Sequence, residues 1–595
     1  MFLNIRRITT IVFFYTSLLI LNSINLESIG SGLGLYSGFF HVTQITQVLE
    51  FFIFIIGGLI LIGWPQIAQY NSNFLSSSSS ELGGGSSSEV SFIKLTKDEG
   101  TDYSIIVIFC LLGSSLLISS YDLISIYLSI ELQSFSLYIL STLYRDSESS
   151  TAAGLKYFLL GGLSSCIILL GAGLIYSYSG ITNLESLYII NSLSNINDSN
   201  LTEGISLGLI LIFVGFLFKI AAAPLHNWSP DVYEGTPTIV TTWLTIIPKI
   251  SILILLLEIH NNIGNIGGLI GDSLDMTASS IHSLTEGQWF SSYFYFNESN
   301  GGVRVDFLSN MSKPLNIFIG GSIKNLLLIS SLLSLIIGSL LGLAQTKIKR
   351  LLAYSTISHI GFLLLALAIN SEQSIDSFIF YIFQYTITNL NIFLIILALS
   401  YSSPLQRTFL PFGLESYGNK DIDNKSEARV NFNKISRDIK DLSYLLEFKG
   451  LFFSNPLLSL SLGISLFSMA GIPPLVGFFS KQFVLYSSLQ NGYFFISIIA
   501  IIVSIISASY YLKIIKLLFT APTVSTTENG MNADNLSKQN LGSEGQYLVD
   551  NLNSKLTNSH SFIISTLTLF ILFFFIKPSI ILNSTQLLAL SLFNI

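Results

Sequence analysis

Apolar residues in this chain fall in long unbroken runs separated by polar intervals, without the alternation of a half-buried strand or the narrow stripe of a surface helix. A membrane-spanning helix needs roughly 20 such residues. Thirteen runs predict spans, at 8–24, 41–63, 103–120, 122–143, 156–178, 205–222, 236–257, 316–344, 349–370, 376–400, 456–489, 493–518 and 561–583. The eleventh is too long for one straight helix. Gly471-Ile472-Pro473-Pro474 in its middle predicts a break, because proline removes a backbone donor and clashes with the preceding turn. A transmembrane barrel is excluded, since its strands would alternate. The fold class is therefore an all-α polytopic membrane protein.

Composition agrees. Half of the 595 residues are hydrophobic, 11% are charged and the mean hydropathy is +0.65, whereas soluble domains carry about 25% charged residues. Net charge is −7, and the basic residues are not clustered as nucleic-acid binding requires. Cys110 and Cys166, the two cysteines, lie in apolar runs and suggest no disulfide framework, zinc site or iron–sulfur cluster. Arg6 and Arg7 ahead of the first run imitate a secretory signal, but without a small-residue cleavage site a first membrane helix is expected. Abundant Ile, Leu, Phe, Ser and Asn with little Ala suits an AT-rich genome such as an organelle's.

The loops test the span count. With strict alternation, one side collects 21 of the 28 basic residues, and the other receives only Arg304, Lys313, Lys324 and Lys577. The remaining three lie inside spans. So large an asymmetry follows the positive-inside rule, and a miscounted helix would scramble it. Polar intervals at 71–101, 260–315, 401–453 and 521–560 read as inserted loops, the first with a Ser/Gly linker composition. Within the third, 429–449 could form a basic amphipathic surface helix.

Candidate chemistry sits where charge is most costly. Lys219, Lys249, Lys481 and Glu131 interrupt apolar runs, and a charge at bilayer depth costs about 2.5–3.5 kcal/mol on insertion scales. Such groups are usually paired and aimed at an ion or proton path. Lys219 is followed by Pro224, which should open the helix there, and Pro230 and Pro237 should keep the next segment irregular. Broken helices at membrane depth line wet cavities and mark ion sites in transporters. His226, Asp231 and Glu234 then bring titratable groups near one opening. Pro248 beside Lys249, and Pro473 and Pro474 ahead of Lys481, repeat the design of a break that admits water next to a buried amine. Blander readings stand beside these: Lys219 could snorkel from its helix end, Glu131 could be only a structural partner, and His359 could be a packing histidine or a relay member.

Four stretches carry a resemblance: Ser129-Ile130-Glu131-Leu132-Gln133-Ser134, the segment from Phe216 to Pro237, the segment from Gln345 to Ser355, and the segment from Gly471 to Lys481. Together they resemble the antiporter-like membrane subunits of respiratory complex I, and His226-Asn227-Trp228-Ser229-Pro230-Asp231-Val232-Tyr233-Glu234-Gly235 is most similar to the subunit 2 branch. The likeness runs in order through 30–400 and 450–520. A glutamate would stand at Lys481 in subunit 4, and subunit 5 would add a long lateral helix.

The resemblance implies two inverted five-helix repeats, each with a broken helix, and 14 spans in bacterial members against the 13 here. Loss of the first family helix would put the N-terminus on the basic side, the matrix side of a mitochondrial inner membrane. The implied organisation is 1–102 N-terminal helices and loop, 103–257 and 316–520 the two repeats, 258–315 an inserted loop, 401–453 an insert in the second repeat, 521–560 a polar loop and 561–595 a final helix and tail. It further implies that Glu131 tunes Lys219, that Lys249 is the central relay and Lys481 the terminal one, with His226 and His359 as accessory members. No cofactor would be bound by this chain. FMN, iron–sulfur clusters and ubiquinone would belong to other subunits, and the partners would be membrane-arm and accessory subunits and lipids. Two other classes remain open on the residues alone: a subunit of a multi-subunit cation/proton antiporter, and an assembly scaffold whose charges only lock helices together.

Overall fold

In hydrocarbon every backbone donor and acceptor must be satisfied within its own segment or by a closed sheet. The apolar runs accordingly form helices. The structure is a computed structural model and describes residues 2–24, 32–63, 87–144, 147–194, 199–263, 323–402, 442–520 and 558–593.

Helix α1 (Phe2–Ile24) precedes an antiparallel hairpin of β1 (Leu33–Leu35) and β2 (Phe40–Val42), in which Gly34 faces His41. Then follow α2 (Gln44–Ile62), α3 (Ser87–Ser119), α4 (Leu123–Ser141), α5 (Glu148–Ser179), α6 (Leu184–Ser194), α7 (Ser199–Ile220), α8 (Trp228–Gly235) and α9 (Thr238–Ile263). The second half holds α10 (Ile323–Leu343), α11 (Ile348–Ile369), α12 (Glu372–Ser402), α13 (Pro456–Ala470), α14 (Val476–Gln490) and α15 (Phe494–Phe519). Helices α16 (Asn558–Phe573) and α17 (Ser579–Phe593) close the described chain.

Among the described residues, eleven helices are long and apolar enough to cross a membrane. The thirteen expected runs are recovered as these eleven, the shorter α7 and the broken α13–α14 pair. The expected break at Gly471–Pro474 is present between α13 and α14.

Three expectations change, and a fourth falls mostly outside the described residues. Residues 87–101, expected as linker, extend α3. The segment after Pro224 is not irregular: α8 forms two turns, because Pro230 falls in its first turn, where no intrahelical N–H is required. Pro248 does not break its helix, since α9 runs through it. Packing on all sides holds α9 together there, and the Tyr385 hydroxyl donates to the Thr245 carbonyl at 3.2 Å. Of the expected surface helix at 429–449, residues 429–441 lie outside the described residues, and the rest holds only a 3-10 turn, Leu445–Phe448.

Burial sorts the helices into layers. In the apolar windows of α9, α11 and α12, 94%, 100% and 89% of residues are buried, against 17% for α1. These three inner helices pack on one another. Close approach uses small residues, as expected where lipid offers no hydrophobic drive between helices. A Cβ on Gly171 of α5 would lie 2.6 Å from the Gly208 carbonyl of α7, so those two backbones touch.

Candidate functional site

Both broken helices end in the same way. In α7, Ala221 turns left-handed (φ 62°), the Ala222 N–H bonds the Leu217 carbonyl at 3.0 Å and the Ala221 N–H bonds that of Phe218 at 3.1 Å. In α13, Gly471 turns left-handed (φ 85°), Ile472 N–H bonds Phe467 at 3.2 Å and Gly471 N–H bonds Ser468 at 3.0 Å. Each is a Schellman stop, which satisfies the last carbonyls of a helix. Each has a proline three residues past the left-handed residue, Pro224 and Pro474. The first stop is braced further by Trp228, whose indole N–H donates to the Phe218 carbonyl at 2.9 Å.

The three lysines are buried, and each has a different partner. Lys219, in the last turn of α7, places Nζ 3.4 Å from Glu131 Oε1 on α4 and donates to Ser134 Oγ at 2.8 Å. Their side chains are 7% and 15% exposed, so this is an ion pair inside the bundle rather than a snorkelling lysine. Lys249, 1% exposed, donates to Thr356 Oγ1 of α11 at 3.1 Å and sits 5.3 Å from the centre of the Tyr233 ring. Lys481 donates to the carbonyls of Met469 and Ala470 at 2.9 and 3.0 Å, and lies 5.9 Å from the centre of the Phe362 ring. It thereby adds a positive charge at the C-terminus of α13, where the helix dipole favours one.

A cavity of about 20 Å³ lies between Lys219 and Pro248, lined also by Gln133, Ser134, Trp228 and Tyr157. That is room for about one water among polar partners. Gln133 continues the polar lining, donating to Ser251 Oγ of α9 at 2.9 Å.

His359 is buried in α11. Its Nδ1 is 2.7 Å from the Tyr381 hydroxyl and its Nε2 is 3.3 Å from that of Tyr511. Among the described residues His226 has no such link. Its Nδ1 lies 3.3 Å from the Pro224 carbonyl at the α7 stop, and its ring faces Tyr354 with centres 6.4 Å apart. Asp231 and Glu234 stand apart from Lys219 as well. Asp231 pairs with Lys156 and Arg350, and Glu234 pairs with Lys347 and Arg350. Lys349 adds a bond to the Thr236 carbonyl at 2.8 Å. This ion network fastens α5, α8 and the start of α11 at one end of the bundle. Lys347 there is held above the ordinary lysine range by its hydrogen bond to Glu234.

Nothing in the sequence marked Thr356, Tyr381 or Tyr511, and Ser134 stood out only as a neighbour of Glu131. Lys347, Lys349 and Arg350 stood in a stretch that carries the resemblance and counted as loop charge, without their partners.

The chain matches the family described as NADH:quinone oxidoreductase/Mrp antiporter, transmembrane, over residues 120–267, 306–416 and 426–507. It belongs to that family. A relative named NADH-ubiquinone oxidoreductase chain 2, from Rhizopus oryzae, is 43% identical over 99% of this chain and 95% of its own length. Among solved structures of this fold, a chain of respiratory complex I from Thermus thermophilus superposes with a TM-score of 0.58 at 20% identity, covering 98% of this chain and 99% of that one. A chain of the Mrp complex of a Dietzia species does so with a TM-score of 0.63 at 16% identity, covering 99% and 93%. At these identities the structures speak for the family fold alone. The Glu131, Lys219, Lys249 and Lys481 constellation thus lies inside the matched family segments.

Proposed function

We propose that this chain is the chain 2 type antiporter-like subunit of proton-translocating NADH:ubiquinone oxidoreductase, a multi-pass protein of the mitochondrial inner membrane. Its basic loops face the matrix, and it moves protons while redox chemistry proceeds in other subunits. The observation that carries this is the row of three buried lysines, one paired with Glu131, inside a chain similar over nearly its whole length to the Rhizopus protein.

Glu131 and Lys219 form the switch. Opening or closing this pair changes the electrostatic cost of holding a proton on Lys219, so a charge change elsewhere in the membrane arm is felt there. The one-water cavity beside Lys219 and Pro248 gives the Lys219 end of the path room for a water. Among the described residues Lys249 has a hydroxyl and an aromatic face as partners and no counter-ion, which suits a group that must take up and release a proton. Lys481, anchored on the α13 carbonyls, serves as the terminal site.

Two measurements test this. In gently solubilised native membranes the chain should comigrate with NADH–quinone reductase activity. Lys249→Ala should assemble yet impair coupled turnover, and an assembled variant with full activity and unchanged pumping would remove the relay role. The likeness to the Dietzia chain favours one second reading, a cation/proton antiporter subunit. Sodium-dependent activity without NADH coupling, in a smaller assembly, would select it.

A further inference from the structure

The relay reading leaves a gap between Lys249 and Lys481, and α11 crosses it. Lys249 touches this helix at Thr356, and Lys481 lies over the ring of Phe362. His359 lies midway, three residues from each, which is about 4.5 Å of helix rise either way. Both of its ring nitrogens are occupied, Nδ1 by the hydroxyl of Tyr381 on α12 at 2.7 Å and Nε2 by that of Tyr511 on α15 at 3.3 Å. All three side chains are buried, at 3%, 0% and 0% exposure.

We propose that Tyr511 and Tyr381 are proton-carrying members of the relay, forming with His359 a wire that conducts by exchange of the imidazole tautomer. This rests on the relay reading above. A neutral imidazole has one N–H and one lone pair, so hydrogen bonds on both nitrogens require one tyrosine to donate and the other to accept. With the proton on Nδ1, Tyr511 donates to Nε2 and Nδ1 donates to Tyr381. A proton arriving at the Tyr511 oxygen releases the hydroxyl proton to Nε2. The Nδ1 proton passes to the Tyr381 oxygen, and the Tyr381 hydroxyl proton leaves. One proton enters, one leaves, and no group ends with a changed charge; the imidazole has swapped tautomers and must swap back.

The ends of the wire fit this role. Tyr511 lies within hydrogen-bond reach of Ser355, the residue beside Thr356, where Lys249 donates. At the other end, the Tyr381 ring stacks on that of Phe362, the ring over which Lys481 lies. Tyr385 marks the contrast. Its ring is 6.0 Å from that of His359, but both imidazole nitrogens are taken by Tyr381 and Tyr511.

The test uses the assembled complex with Tyr511→Phe, Tyr381→Phe, His359→Gln and Lys249→Ala, reading proton translocation and the solvent deuterium isotope effect on turnover. The two phenylalanine variants keep the rings and lose only the hydroxyls. Glutamine can still accept from one tyrosine and donate to the other, but has no second tautomer. Each of these three should lower coupled translocation by about tenfold and enlarge the isotope effect, because proton passage then limits turnover. A purely structural role would lower the rate and leave the isotope effect alone. Native translocation and isotope effect in His359→Gln, or in both phenylalanine variants, with Lys249→Ala impaired, overturns the wire and leaves the relay standing. If Lys249→Ala also pumps normally, the relay reading itself fails.

Discussion

Glu131 and Lys219 show how one residue's burial decides what its removal costs. At 3.4 Å and with little solvent around either side chain, neither charge has an alternative partner in water. Glu131→Gln therefore leaves an uncompensated ammonium, which should cost about 3–5 kcal/mol. Lys219→Met alone strands the carboxylate at similar cost. Glu131→Gln with Lys219→Met removes both charges and should cost far less than the two single changes added together. Heat inactivation of the assembled complex measures all three, and additive losses would show that the pair is not coupled. The four ionisable residues could be read from the sequence because a charge inside an apolar run has few explanations. Their partners could not. Tyr381 and Tyr511 are two of 26 tyrosines, and nothing in their local sequence marks them. Only the fold brings them to His359.

At the scale of elements, the two breaks carry the site, and prolines announced both of them. Pro248 misled for the same reason: proline removes a donor in every context, but whether the helix parts depends on what surrounds it, and α9 is enclosed. The second break also depends on a close approach that no motif reveals. A Cβ on Gly477, in the first turn of α14, would lie 1.8 Å from the Ser468 carbonyl of α13. A backbone oxygen cannot move aside as a flexible side chain would, so the half-helices would have to separate. That movement would disturb the Met469 and Ala470 carbonyls that hold Lys481. Gly477→Ala should destabilise by about 2–3 kcal/mol, in the range of overpacking, and impair pumping beyond its effect on assembly. Gly463→Ala is the control, since a Cβ there meets nothing within 4 Å. Equal behaviour of the two variants on native gels and in pumping would refute this account.

Across the whole molecule, the apolar runs made the helices readable, because hydrocarbon allows so few backbone solutions. Which helices lie inside was not readable from apolar character, since the largely exposed α15 is as apolar overall as the enclosed α9 and α11. What joins the two halves is a polar seam: Lys249 to Thr356, Tyr385 to Thr245, Lys349 to Thr236, and the ion network of Asp231 and Glu234 with Lys347 and Arg350. The buried bonds should be indifferent to salt. The ion network is part-exposed, with side chains 26–39% accessible along Glu234, Lys347, Arg350 and Asp231, so it should weaken as salt rises. Asp231→Asn with Glu234→Gln strands the cations and should cost about 1–2 kcal/mol at low salt, discounted for solvent screening. The pH dependence has a fixed sign. Lys347 is raised by Glu234, so its share of stability is complete below the ordinary lysine range and is lost as pH rises through the raised value. The native complex should therefore hold this seam throughout neutral pH and loosen only in strong alkali. In the double variant, heat inactivation should accelerate at low salt and differ little from native at high salt. Acceleration that persists undiminished at high salt would mean that Asp231 and Glu234 act through the buried path and not through the ion network.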